Sequence, residues 1–379
     1  MQFKDVIGQQ EAKERMLHSY KEGRLAHAIM LLGPEGCGNL SLALAFAQFL
    51  SCTNKSETDS CGTCPQCRRH SSLQHPDLHF SFPYFNKPKG EGSGAEKTNS
   101  GDYGTEWREA LLESPYLGID HWRTKITKDN KVFMMGVAEA EHIVRRLSLK
   151  SYEGGHKYMI VWLPEYIKPD TANKLLKTLE EPPEGTLFIF VSNSIERILP
   201  TVQSRVQILH IPKLTDEDIK AELISRNIPE VTATGITHYV DGNWWRALLL
   251  STSEDPNQFF SAQFIQWMRN CYSKNITEII RWADEMHKLS RDDQKEFLMY
   301  ALDQIRQNLV LNYAGTELAR MNAEEAEFSK KFSAFINEKN AENLMDLISD
   351  AHSDISRMAY SKMVLTDLSF KVHYQLKLV

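Results

Sequence analysis

The sequence predicts an α/β domain built on a parallel sheet over residues 1–212, then a small helical domain over 213–254 and an all-α C-terminal domain over 255–379. Three observations carry that reading. Short apolar runs alternate with helical patterns through the first 212 residues, a glycine-rich turn follows the first of those runs, and strand signals fade after Pro212.

Taken in order, Ala28 to Leu32 reads as a strand, followed by the glycine-rich turn and a helical run from Leu40 to Leu50. Tyr158 to Trp162 and Leu187 to Val191 are two further buried-strand candidates. Between them Ala172, Leu175, Leu176 and Leu179 fall at i, i+3, i+4 and i+7, which gives a helix one apolar face. Pro182-Pro183 stops that helix, because proline lacks an amide hydrogen and clashes with the preceding turn. Residues 86–105, NKPKGEGSGAEKTNSGDYGT, are rich in Gly, Ser, Asn and charge and predict a flexible surface insertion. Thr215 to about Leu250 reads as helices, and Asp255-Pro256-Asn257 marks a boundary before the last helical segment.

At 379 residues, 42% hydrophobic and 25% charged, the chain is long enough for two or three domains with ordinary cores. No apolar run approaches the ~20 residues that span a bilayer, and the opening residues lack the apolar core of a secretory signal. The expectation is a cytoplasmic protein without membrane contact. A formal charge of −6 does not give the broad basic surface of a protein that grips DNA alone, so any DNA contact is expected to be local or shared with partners.

Gly33-Pro34-Glu35-Gly36-Cys37-Gly38-Asn39-Leu40 has the glycine frame of a phosphate-binding loop, set between a strand and a helix. A working loop continues with Lys, which reaches the β- and γ-phosphates, and Ser or Thr, which ligates Mg²⁺. Here those positions are Asn39 and Leu40, which carry neither a positive charge nor a metal-binding oxygen suited to Mg²⁺. Backbone N–H groups around Gly33, Gly36, Gly38 and Asn39 still leave room for weak ATP or ADP binding. The competing reading is a tight strand-to-helix turn with no ligand.

Cys52, Cys61, Cys64 and Cys67 place four thiols in sixteen residues, spaced x8, x2 and x2. Two C-x2-C steps bring sulfurs within reach of one tetrahedral ion, and four protein ligands leave no open position, so a structural Zn²⁺ is expected. An iron–sulfur cluster is the formal alternative. Cys37 and Cys271 stand apart and read as ordinary buried thiols.

The segment ANKLLKTLEEPPEGTLFIFVSN, residues 172–193, closely resembles the signature of bacterial clamp-loader AAA+ subunits. VIGQQEAKERMLHSYKEGRLAHAIMLLGPEGCG, residues 6–38, is similar to that family's N-terminal helix, strand entry and phosphate loop, and LPTVQSRVQ, residues 199–207, to its Ser-Arg-Cys segment with Val206 in place of the cysteine. These motifs thread most of the first 212 residues, while the helical remainder matches by order and character. The resemblance implies an AAA+ P-loop domain with an inserted zinc module at 52–67, a small helical lid domain, and a C-terminal collar domain that joins a ring.

Counting back from Asn173, the family's acidic Walker B pair falls on Trp162 and Leu163, neither of which can hold Mg²⁺. Glu165 lies just downstream, but Pro164 intervenes and a slipped register would be needed to place its carboxylate there. Two broken motifs together imply the family's hydrolysis-deficient stator within the DNA polymerase III holoenzyme, a subunit that helps load the sliding clamp onto primed DNA. Arg205, with Ser204, matches the position of an arginine finger that completes a neighbour's ATP site. Arg246 sits where the family carries its sensor 2 arginine, although without a working phosphate loop a structural role fits as well.

The implied partners are a gamma/tau-like ATPase and a delta-like subunit, with the sliding clamp and primer-template DNA reached through the complex. One alternative is an active motor ATPase of the same family, against which Asn39, Leu40, Trp162 and Leu163 all speak. Another is a zinc-dependent nucleic-acid-binding module using Arg68, Arg69 and His70, a trio that is more ordinarily just solvated.

Overall fold

A computed structural model describes the chain except for residues 87–97, 128–131, 153–154, 253–255, 290, 315–322, 358 and 378–379. Contacts divide it into two compact units, Met1–Ser251 and Thr252–Val379.

The first unit is organised by five parallel strands, β1 (Ala28–Leu32), β2 (Leu78–Ser81), β3 (Lys157–Trp162), β4 (Thr186–Ser192) and β5 (Gln207–His210), in the spatial order β2-β3-β4-β1-β5. The three central strands are apolar on both faces, as a sheet covered on both sides requires. Side-chain alternation sorts their residues. Ile29, Leu31, Tyr158, Ile160, Leu187 and Ile189 join one core layer, and Ala28, Met30, Met159, Val161, Phe188 and Phe190 the other.

Helices α1 (Gln10–Lys21), α2 (Asn39–Ser51), α3 (Pro65–Ser71), α4 (Gly104–Glu113) and α5 (Ile119–Ile126) precede β3. Of these α1, α2, α4 and α5 bury apolar residues in the first layer. The second layer is covered by α6 (Val137–Ser148), α7 (Pro169–Glu180) and the short α8 (Pro200–Gln203). Along α7 Ala172, Leu175 and Leu179 are buried as their spacing predicts, and the helix ends before Pro182. The sequence reading passed over β2 and β5, because each is only four residues long and half-buried at a sheet edge.

Helices α9 (Asp216–Ser225), α10 (Glu230–Val240) and α11 (Trp244–Thr252) form the expected small helical segment. Its core is a separate cluster, yet Ile7 and Tyr116 from the sheet domain belong to that cluster. Those contacts tie α9–α11 into the first unit, so residue 212 is not a contact boundary.

The insertion expected at 86–105 needs a correction. Residues 87–97 lie outside the described set, but 98–105 are structured: Asn99 caps a 3-10 turn over Ser100–Tyr103, and Tyr103 is buried with its hydroxyl donating to the Phe85 carbonyl at 2.8 Å. Ser100 donates its N–H and hydroxyl to the Glu139 carboxylate in the first turn of α6, at 2.7 and 2.6 Å. Composition alone hides such an anchor, because the partner lies 39 residues away.

The second unit contains α12 (Pro256–Ser273), α13 (Ile276–Lys288), α14 (Arg291–Ala314), α15 (Ala323–Phe332), α16 (Ala341–Ser356) and α17 (Ser361–Leu376). Ile279, Trp282, Ala283 and Met286 give α13 its buried stripe at i, i+3, i+4 and i+7. Trp282 stacks on Trp267, whose indole N–H donates to Ser369 at 2.8 Å.

Burial pushes the Glu139 carboxyl above its ordinary value. An acid raised in the folded state contributes stability that is fully present below its unfolded pKa and is lost as pH rises through the folded one. Urea unfolding should therefore show wild type losing ground to Glu139→Gln as pH rises from about 4 to about 8, by about 1.4 kcal/mol per unit of elevation. Parallel curves for the two proteins would show that Glu139 titrates alike in both states.

Candidate functional site

The glycine-rich turn sits at the carboxyl end of β1, where α2 begins, which is where open parallel sheets bind ligands. Gly36 and Gly38 hold φ at +75° and +93°, a left-handed region that a side chain resists. Asn39 fills the place of the missing lysine. Its Nδ2 donates to the Gly33 and Ser192 carbonyls, each at 3.4 Å, and to Asn193 Oδ1 at 3.3 Å, while its Oδ1 accepts from the Leu40 N–H at 2.9 Å. A carboxamide has both donors and an acceptor, so the loop satisfies itself where a lysine would call for an anion.

Residues from α10–α11 then close over the loop. The Trp244 N–H donates to the Gly36 carbonyl at 3.1 Å, and a Cβ placed on Gly36 would lie 2.0 Å from Asn243 Oδ1. A Cβ on Gly38 would lie 2.9 Å from the Tyr116 ring, and Gln9 Nε2 donates to the Cys37 and Pro212 carbonyls at 2.9 and 2.7 Å. Between Glu35, Asn39, Tyr116, Trp162 and Asn193 only about 10 Å³ of space remains. That is scarcely one water, while a wider cleft of about 700 Å³ opens beside Gly33, Pro34 and Asn193. Cys37 is fully buried, and burial pushes its thiol up to about 12, which removes it as a nucleophile.

At the acidic pair's expected position Trp162 is buried 5.0 Å from Trp107, and Leu163 donates its N–H to the Val191 carbonyl from a left-handed φ of +52°. No acid occupies either position. A 3-10 turn over Pro164–Tyr166 brings Glu165 back without any slip in register, and its Oε1 accepts from the Asn193 N–H at 2.8 Å. Its Oε2 is buried and unpartnered, and burial pushes the carboxyl up. Glu165 thus reaches Asn193, which itself holds Asn39, and caps the end of β4 rather than facing an open site. Residue counting could place Glu165 near the loop but could not supply that turn.

Arg205 follows α8 on a half-exposed surface. Its Nε donates to Glu180 Oε1 at 2.7 Å, its Nη2 donates to the same oxygen, and its Nη1 donates to the Thr201 carbonyl and Ser204 Oγ at 2.8 and 3.1 Å. Ser204 therefore supports the guanidinium directly. Arg246 is half-buried; its backbone N–H donates to Asn243 Oδ1 at 3.1 Å, and its side chain makes no ion pair with any described residue.

The four cysteines converge as their spacing predicts. All four sulfurs lie within 4.8 Å of one another, with Cys52–Cys64 and Cys61–Cys67 each at 3.9 Å. A tetrahedral Zn²⁺ with ordinary Zn–S bonds sets its sulfurs about 3.8 Å apart, so the set fits the ion. Backbone N–H groups of Cys61, Cys64 and Cys67 donate to the sulfurs of Cys52, Cys61 and Cys64. Donors from Thr63 and Cys64 lower the Cys61 thiol to about 6, whereas burial raises Cys67. Four adjacent thiols cannot all ionise unaided, and a divalent cation would resolve that conflict.

The family model described as DNA polymerase III, delta subunit matches residues 8–215, more than half of the chain. The chain belongs to that family. It is 27% identical over 217 residues to DNA polymerase III subunit delta' of Escherichia coli, covering 57% of this chain and 51% of that one. It is also 27% identical over 210 residues to subunit gamma/tau of Mycobacterium bovis, covering 55% and 28%. The chain thus spans about half the length of the delta' relative it matches. A gamma subunit-related protein from Thermotoga maritima aligns over 97% of this chain and 100% of its own at 14% identity, with a TM-score of 0.38.

In this clamp-loader delta-prime-like chain the structure gathers Gly33, Gly36, Gly38 and Asn39 into one closed loop and the four cysteines into another cluster. Ser204 and Arg205 stand together at a third place. Contacts from Asn243 and Trp244 were missed because sequence spacing gives no sign of which face of α11 meets the loop. Gly36→Ala forces both a left-handed alanine and a clash with Asn243. It should cost about 2–4 kcal/mol in urea unfolding and speed amide exchange in 230–250. Unchanged exchange there would mean that α10–α11 do not rest on Gly36.

Proposed function

We propose that this chain is a non-catalytic, delta-prime-like stator of a DNA polymerase III clamp loader, which helps place the sliding clamp on primed DNA and lends Arg205 to a neighbouring ATPase subunit. The observation that carries this reading is the closed phosphate loop: Asn39 holds the loop internally, Asn243 covers Gly36, and Trp162 and Leu163 stand where two acids would be needed. Such a site favours neither hydrolysis nor binding of ATP or ADP. A gamma/tau-like motor is the second reading, to which the similarity to gamma/tau chains also points, and Asn39, Leu40, Trp162 and Leu163 count against it.

On this proposal residues 1–212 are an AAA+ base, 213–254 its lid, and 255–379 a collar that joins gamma/tau-like and delta-like subunits. The sliding clamp and primer-template DNA are met through the complex, in the cytoplasm. Arg205 and Ser204 form the finger, and for Arg246 a structural role fits at least as well as that of a sensor 2 arginine. Cys52, Cys61, Cys64 and Cys67 hold a structural Zn²⁺, which would fix the loop between α2 and α3 by giving four thiolates one counter-charge.

ATP turnover by the cognate motor subunit tests the central claim. Alone, this chain should be inert; added to the motor it should stimulate turnover, and Arg205→Ala should remove most of that stimulation, since such fingers are worth roughly 10³ to 10⁵ in rate. Turnover by this chain unaided would instead establish the motor reading.

Zinc has its own test. The purified protein should carry about one Zn²⁺ per chain by elemental analysis, with Cys64→Ser losing it and exposing residues 52–71 to proteolysis. Full retention of zinc by Cys64→Ser would move the ion elsewhere.

A further inference from the structure

A second cavity, of about 350 Å³, opens beside β2 on the far side of the sheet order from β5. It lies within the size range of small-ligand sites. Among the described residues strand β2 pairs only with β3, so the backbone groups along its outer edge have no strand partner there. The floor is apolar, with Phe80 and Trp107 at ring-centroid separation 6.1 Å, and Trp107 keeps its buried indole N–H unpartnered. The rim is basic. His79, Arg108, His142 and Arg146 line it, and among the described residues no carboxylate does.

The two guanidiniums differ. Arg108 is held, with its Nε donating to the Ser72 carbonyl at 2.9 Å, whereas Arg146 makes no ion pair with any described residue. Desolvation and then the Arg146 charge push both His79 and His142 below the usual imidazole range, His79 to about 4. Asp77 and Asp102, which pull in the opposite direction, stand outside the lining. Gly101, in the turn pinned by Glu139, closes one wall, and a Cβ there would lie 3.0 Å from the His142 ring.

We propose that this cavity binds a phosphate group, taken between the Arg146 guanidinium and the His79 and His142 imidazoles, with the aromatic floor receiving the sugar or ring that carries it. Guanidinium and imidazole N–H donors lining one cavity, with no acid among its described lining residues, suit a phosphate, whose oxygens accept several hydrogen bonds at once. The source is either a small phosphorylated molecule or a nucleic-acid backbone.

The test uses the full chain, with inorganic phosphate and pyrophosphate followed by thermal shift and titration calorimetry, and a fluorescent primed duplex followed by anisotropy. Arg146→Glu is compared with Arg145→Glu, the same charge change one residue along α6 and off the cavity. At least tenfold weaker phosphate or pyrophosphate binding in Arg146→Glu, with Arg145→Glu near wild type, supports the site and a small ligand. The same contrast confined to the duplex supports it with nucleic acid as the source. Equal losses in both variants, or binding of none of the probes by wild type, would overturn the proposal.

Discussion

The first unit turns on how a phosphate loop without lysine is kept in shape. Such a frame presents backbone N–H groups to an anion, and burying those groups unmet is costly. Here Asn39 meets the Leu40 N–H and reaches back to Gly33, Ser192 and Asn193, stitching α2 to the ends of β1 and β4. Trp244 then occupies the Gly36 carbonyl. Helices α9–α11 meet the loop through Trp244, and their core takes in Ile7 and Tyr116.

That substitution accounts for the neighbouring acids as well. Without a bound cation, an ionised pair at the end of β3 would face desolvation with no counter-charge. Trp162 and Leu163 extend the apolar layer instead, and Trp162 completes an aromatic cluster with Trp107, Phe82 and Trp122. Glu165 shows what a single remaining carboxyl does in such surroundings. Burial raises it, and one oxygen is spent on the Asn193 amide.

The central strands, the α7 stripe and the cysteine cluster were legible in the sequence because each is a local pattern with its own period or spacing. Ala28–Leu32 and the Ala172–Leu179 face need no knowledge of what covers them. The edge strands, the Ser100–Glu139 anchor and the seat of Asn243 on Gly36 were not legible, since each depends on a partner 39 or more residues away or on half-buried side chains with no clean periodicity. Composition misled at 98–105 for the same reason: Gly, Ser and Asp suggest mobility until the buried Glu139 carboxylate takes both hydrogen bonds of Ser100.

Arg205 raises the question of how a guanidinium already held on three nitrogens could serve a neighbour. Its partner Glu180 is about half exposed, and exposed pairs of this kind contribute only about 0.2–1 kcal/mol. A phosphate in a water-excluded interface carries more charge than one carboxylate and meets a lower effective dielectric, so it would outcompete Glu180 at small cost. The carbonyl of Thr201 and the hydroxyl of Ser204 do not compete in the same way, because they hold Nη1 and leave the Nε–Nη2 edge to whichever anion is stronger. If Arg205 has the proposed finger role, the pair with Glu180 would restrain its side chain before assembly and so reduce the entropy lost when a second anion replaces the first.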